Sequence, residues 1–186
     1  MTQNKTQKTA AAAVILCTLL IMLIVASTPH RLRPPVTQTP LRITCEVKPL
    51  GADEWSRQIK ADDGATVRWR VHVVNDSAQT VENLCVRDIL PAGMTLVPGS
   101  VTVANSAHPD GVSVSDSITE DGGMNLGAYA SGGGAWIYFN TVIDRSANET
   151  EGNLILRNVV QTSGGAVTGT VEDAADVILP RTPRSA

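Results

Sequence analysis

The sequence predicts an all-β protein: an antiparallel β-sandwich of about seven to eight strands preceded by one N-terminal transmembrane helix. Three observations carry that prediction. In residues 66–75, TVRWRVHVVN, apolar and polar side chains alternate as far as Val73. Between Leu41 and Leu179, short β-branched runs recur between Gly, Pro, Asn, Asp and Ser clusters, with no helical periodicity of useful length. Ahead of them, Ala10–Ser27 is apolar and free of charge, Gly and Pro.

The apolar run comes first in the chain. Eighteen helical residues span roughly 27 Å, close to the hydrocarbon thickness of a bilayer. Residues 1–9 form a short N-region carrying Lys5 and Lys8. Two readings fit 10–27: an uncleaved signal anchor, favoured by the length, or a signal peptide cut near Val25-Ala26-Ser27. Arg31, Arg33 and Arg42 follow the segment, so charge counting does not by itself send the C-terminus outside. Residues 28–40 then form a Pro-rich linker whose Pro34-Pro35 favours extended geometry.

The domain follows at 41–179. Strands are expected at Leu41–Lys48, Thr66–Asn75, Val81–Asp88, Ser100–Ala104, Gly111–Ser115, Ala135–Ile143, Asn153–Gln161 and Thr168–Ile178. In Thr66–Asn75, Val67, Trp69, Val71 and Val73 face one way and Arg68, Arg70 and His72 the other, as in a sheet with one wet face. Pro91-Ala92-Gly93 and Gly132-Gly133-Gly134 are the strongest turn signals. The alternative architecture is a small barrel. Residues 180–186 read as a flexible tail.

Charge is distributed unevenly. All 18 Asp and Glu lie within the domain, against nine of the 15 Lys and Arg, a net of −9. Such a surface repels phosphate backbones, so nucleic acid is not an expected partner.

The stretch DGATVRWRVHVVNDSAQTVENLCVRDILPAGMTLVPGSVTV, with the later MNLGAYASGGGAWIYFNTVI and LILRNVVQT, is similar to the bacterial surface-protein repeat known as domain of unknown function eleven. The DILPAG hexapeptide is its most specific part. The sequence departs from that pattern at Ala65, at Trp69, and in having two cysteines in the domain. The resemblance implies an immunoglobulin-like sandwich on a bacterial exterior and no enzymatic activity. That repeat in turn resembles the collagen-adhesin type of pilin domain. This likeness implies an intramolecular isopeptide bond, with Lys48, Asp88 and Asn158 as the triad. A neutral Lys amine would attack the Asn carboxamide beside a buried, protonated Asp, releasing ammonia.

Strand parity turns Leu84, Val86 and Asp88 to one face, and Leu156, Asn158 and Val160 to another single face, so Asp88 and Asn158 are expected inside. If Ile43, Cys45 and Val47 face the core, Lys48 faces water unless Pro49 marks a bulge or the strand's parity is reversed. Cys45 and Cys85 are the disulfide candidates in an exported domain, and two free thiols in a reducing one. With no C-x-x-C and with His30, His72 and His108 scattered, no metal site is expected, and no cofactor. Trp136 and Tyr138 on a strand, with Trp55 in a polar loop, are candidate surface contacts.

No Gly-rich phosphate loop follows a strand, and no nucleophile–His–acid set is recognisable. The expected function is a non-enzymatic, membrane-anchored, surface-exposed structural or adhesive module of a bacterial envelope. The alternative is an accessory subunit of a membrane or envelope complex, docking through its helix and sandwich. Expected partners are the membrane, through 10–27, and envelope proteins or glycans.

Overall fold

The computed structural model describes residues 41–148, 152–165 and 169–180. The anchor at 10–27, the linker at 28–40 and the tail beyond residue 180 lie outside the described residues. Among those described, no helix is long and apolar enough to cross a membrane.

Two sheets form the domain. The first contains β1 (Leu41–Pro49), β3 (Thr66–Asn75), β9 (Gly134–Ile143), β6 (Thr102–Ala104) and β7 (Val112–Ser113) in that spatial order, with β5 (Met94–Leu96) also pairing with β9. The second runs β2 (Gln58–Lys60), β11 (Val171–Leu179), β10 (Leu154–Ser163), β4 (Cys85–Ile89) and β8 (Met124–Asn125). The described strands thus form two sheets rather than one closed ladder, a sandwich instead of the barrel. All pairings are antiparallel except β2 with β11, which is parallel.

Alternation builds the interior. Val67, Trp69, Val71 and Val73 of β3 are buried, as are Ala135, Ile137, Phe139 and Ile143 of β9. With Leu41, Ile43, Cys45 and Val47 of β1 they meet Val86, Leu156, Val160, Ala175, Val177 and Leu179 of the opposite sheet in a single core. Trp69 has no exposed surface, stacks on Phe139 at 6.3 Å between ring centroids, and donates its Nε1–H to Thr141 Oγ1 at 2.9 Å. That bond satisfies an indole N–H which burial would otherwise leave unpaired.

The Pro-Ala-Gly turn carries the chain from β4 in one sheet to β5 in the other. Gly93 has φ +88°, and a Cβ there would lie 2.7 Å from the Asp144 carbonyl oxygen, so glycine is required both for its backbone angle and for its lack of bulk.

Candidate functional site

Two places in the sandwich gather chemically capable side chains, one between the sheets and one on an outer face. The inner one follows from register. Val160 of β10 stands opposite Asp88 of β4, so Asn158, two residues along, is Asp88's diagonal neighbour on the same face. Both side chains are buried, and Asn158 Nδ2 donates to Asp88 Oδ2 at 2.8 Å. Burial pushes the Asp88 carboxyl up to about 7, against the opposing pull of the Asn158 hydrogen bond. Asp88 Oδ1 and Asn158 Oδ1 are buried acceptors with no hydrogen-bond partner among the described residues. Protonating Asp88 removes a buried charge and supplies a donor where two acceptors lack one.

The structure thus brings Asp88 and Asn158 together, but it does not bring Lys48 to them. The β1–β3 ladder runs without a bulge from Leu41 opposite Asn75 to Pro49 opposite Val67, so parity never reverses. Lys48 consequently stands on the outer side of β1. Its Nζ donates to the Ala52 carbonyl at 2.5 Å and lies 4.8 Å from the centre of the Trp55 ring.

The inward residue of β1 on which the Asp88 charge acts is Cys45. Its thiol is fully buried and pushed well above the ordinary range, first by burial and then by the Asp88 and Asp173 charges. Its backbone N–H donates to Asp173 Oδ2 at 2.8 Å, and Asp173 in turn pairs with Arg57. No sequence signal marked Asp173 or Arg57: Asp173 reaches from β11 across the gap between sheets, and Arg57, beside β2, holds it from within its own sheet.

The expected disulfide does not form: Cys45 and Cys85 are both free. They lie in different sheets, Cys45 facing the core and Cys85 outward, since its neighbour Val86 takes the inward position on β4. The parity that turns Asp88 inward also turns Cys85 away. Labelling the folded chain with a thiol reagent, followed by peptide mapping, should find Cys85 modified and Cys45 protected. A Cys45–Cys85 peptide in a non-reducing digest would contradict this geometry. Among the described residues, no three His, Cys, Asp or Glu side chains are grouped so as to hold a metal ion.

The outer site lies on the β1–β3–β9 face. Register sets Lys48 beside Arg68, Glu46 beside Arg70, Arg70 beside Tyr138, and His72 beside Trp136. His72 and Trp136 stack at 3.9 Å with only 4° between their planes. Arg70 holds Glu46 at 2.5 Å and lies 4.9 Å from the Trp136 ring and 4.6 Å from that of Trp55. Trp55 arrives from the β1–β2 loop, pinned by paired backbone bonds between Val47 and Ser56, and packs 6.1 Å from Tyr138. Arg68 completes the strip 5.4 Å from the Tyr138 ring.

Each such contact contributes about 0.5–1 kcal/mol at an exposed site. Together they fix three half-buried aromatic side chains in one orientation. Burial, followed by the Arg42 and Arg70 charges, holds His72 below its usual value, which favours the neutral imidazole that stacks on Trp136. The candidates Trp136, Tyr138 and Trp55 are therefore brought together. The sequence pattern already showed Arg68, Arg70 and His72 on the wet face. That Trp55 folds back over them depends on the loop and was not legible there.

No known family description matches the sequence, and no curated protein matches it. Solved structures do show similar architecture. The major pilin subunit BcpA of Bacillus cereus is 10% identical, with 75% of this chain and 40% of that one covered, at a TM-score of 0.47. A family 123 glycoside hydrolase from Clostridium perfringens is 13% identical over 77% of this chain and 27% of that one, at 0.39. The collagen-binding subdomain ACE19 of the Enterococcus faecalis surface protein ACE is 12% identical over 77% and 98%, at 0.40. The match thus spans less than half the length of the first two, one a pilin and the other a hydrolase. With no TM-score among them above 0.47, these are likenesses of shape and assign no activity.

Proposed function

We infer that the chain is a non-enzymatic, membrane-anchored module whose sandwich is displayed on the exterior of a bacterial cell, where it serves a structural or adhesive role. The observation that carries this reading is the outer face of the β1–β3–β9 sheet. Stacked rings and guanidinium groups stand side by side on one exposed sheet face, a composition typical of a contact surface. The apolar segment at 10–27 supports anchoring, and the similarity to the surface repeat supports an exterior location.

The test is protease shaving of intact cells that express the full chain, read by an antibody to the domain. The expected result is loss of the domain from intact cells while a cytoplasmic marker is spared. Protection of the domain until the cells are lysed would overturn the reading.

A further inference from the structure

We propose that Cys45 and Asn158 form an intramolecular thioester, with Asp88 carrying the proton between them. The bond ties β1 of one sheet to β10 of the other through the core. It goes beyond the reading of the domain as an exterior module and does not depend on where the domain is displayed.

Position is the first argument. Val160 of β10 stands opposite Asp88 of β4 on one side and Asp173 of β11 on the other. Asp173 Oδ2 accepts the backbone N–H of Cys45 at 2.8 Å. Cys45 is therefore pinned over the layer of the second sheet that contains Asp88. Asn158 reaches into that layer through its hydrogen bond to Asp88, and its own partner on β11 is Ala175, which adds only a methyl group on that side. All three reacting side chains are shut away from solvent.

The choice of nucleophile is the second. Lys48 stands on the outer side of β1. The buried threonines are engaged elsewhere: Thr162 donates to the Cys85 carbonyl, and Thr141 accepts from Trp69. The Cys45 thiol remains, and the Asp88 charge acts on it.

The third is the pair of bare oxygens. Asp88 Oδ1 and Asn158 Oδ1 lie buried without a hydrogen-bond partner among the described residues. Two such acceptors in one core are costly for a purely structural pair, and a reacting pair accounts for both.

The chemistry balances within the chain. Burial keeps the Cys45 thiol protonated, so it needs a base at the moment of attack. Asp88, with a value near 7, is ionised in part of the population at neutral pH, and its Oδ1 is open to take the thiol proton. As Sγ attacks the Asn158 carboxamide carbon, Oδ2, already bonded to Asn158 Nδ2, passes a proton to that nitrogen. The C–N bond breaks, ammonia leaves and the S–C bond stays. One thiol and one carboxamide become one thioester and one ammonia, with no change of oxidation state. A protonated Asp88 then donates to the remaining carbonyl oxygen, which supplies the partner it lacks. Proximity drives the step, and exclusion of water protects the product.

The experiment digests the purified full chain with pepsin at low pH after phosphine reduction, and maps the peptides by mass. The expected result is a β1 peptide joined to a β10 peptide, lighter than the two separate parts by one ammonia. Hydroxylamine should split it into a Cys45 thiol peptide and an Asn158 hydroxamate. Cys45→Ala and Asp88→Asn should each abolish the joined species and leave the Asn158 carboxamide intact.

Separate β1 and β10 peptides from the parent chain, with a free Cys45 thiol and an intact carboxamide, would overturn the proposal. So would a joined species that resists hydroxylamine, as an amide would. A joined species that persists in Asp88→Asn would overturn the role given to Asp88. A chain that carries the thioester yet is protected from shaving on intact cells would leave this inference standing and sink the exterior reading.

Discussion

Raising the pH from about 5 to about 8 is expected to lower the unfolding free energy through Asp88 by roughly 2–3 kcal/mol. The folded state holds the Asp88 proton more tightly than the unfolded chain, with a value near 7 in place of 3.8. The stability it contributes is therefore complete below about pH 4, declines as pH rises toward 7, and changes little beyond. The separation corresponds to about 4 kcal/mol in full, most of it falling between pH 5 and pH 8. His72 works in the opposite direction below about 6.5, because burial and two neighbouring arginines disfavour its charged form in the fold. Comparison with Asp88→Asn isolates the carboxyl. The variant keeps a hydrogen-bonding side chain opposite Asn158 but has nothing to ionise. Denaturant unfolding at several pH values should show the two curves converging at high pH, or the variant becoming the more stable. Curves that stay parallel from pH 5 to pH 8 would mean that Asp88 is not the buried acid described.

Trp69→Ala is expected to cost about 3–5 kcal/mol, a large share of the roughly 5–15 kcal/mol that holds a domain of ordinary stability folded. The indole has no exposed surface, stacks on Phe139 and bonds Thr141 Oγ1. Removing it opens a large cavity and leaves a buried hydroxyl without its partner. Trp55→Ala, at a half-exposed indole on the outer face, should cost about 1–2 kcal/mol, less than Trp69→Ala, since it loses two cation contacts and one ring contact at an exposed site and opens no buried cavity. Thermal melts of the two variants separate a residue that holds the sandwich together from one that decorates it. Similar costs for both would mean that the outer strip is part of the fold's support.

Where the chain alternates over ten residues it announced its own structure. Thr66–Asn75 coincides with β3 at both ends, its burial alternating from Thr66 to Val73 before three successive buried residues close the strand. The inward placement of Asp88 and Asn158 was legible for the same reason, whereas parity left Lys48 open between the two faces until the unbroken β1–β3 ladder turned it outward. Of the strands of two or three residues, β6 and β7 fell within expected runs and three others did not. β2, β5 and β8 are too short to show a period, and each is defined by its partner: β11, β9 and β4. The parallel pairing of β2 with β11 has no local signature at all. Cysteine spacing suggested a link between Cys45 and Cys85 that parity forbids. Spacing along a chain says how long a closed loop would be, whereas the sheet face decides whether two side chains ever meet. Trp136 and Tyr138 could be read as exposed from their strand. Their company of Lys48, Arg68, Arg70 and Trp55 emerges only when three strands and a loop converge.

The Asp173 carboxylate on the Cys45 amide carries a consequence for self-association. β1 is the rim of its sheet, and the rim of a sheet is an invitation for another chain to add a strand. Here one of its amides is already occupied from the opposite layer, and Val47 is bridged to Ser56 of the following loop. A second molecule arriving along that border would find part of the docking groups taken, so the domain can stand crowded among its own copies without zipping to them there.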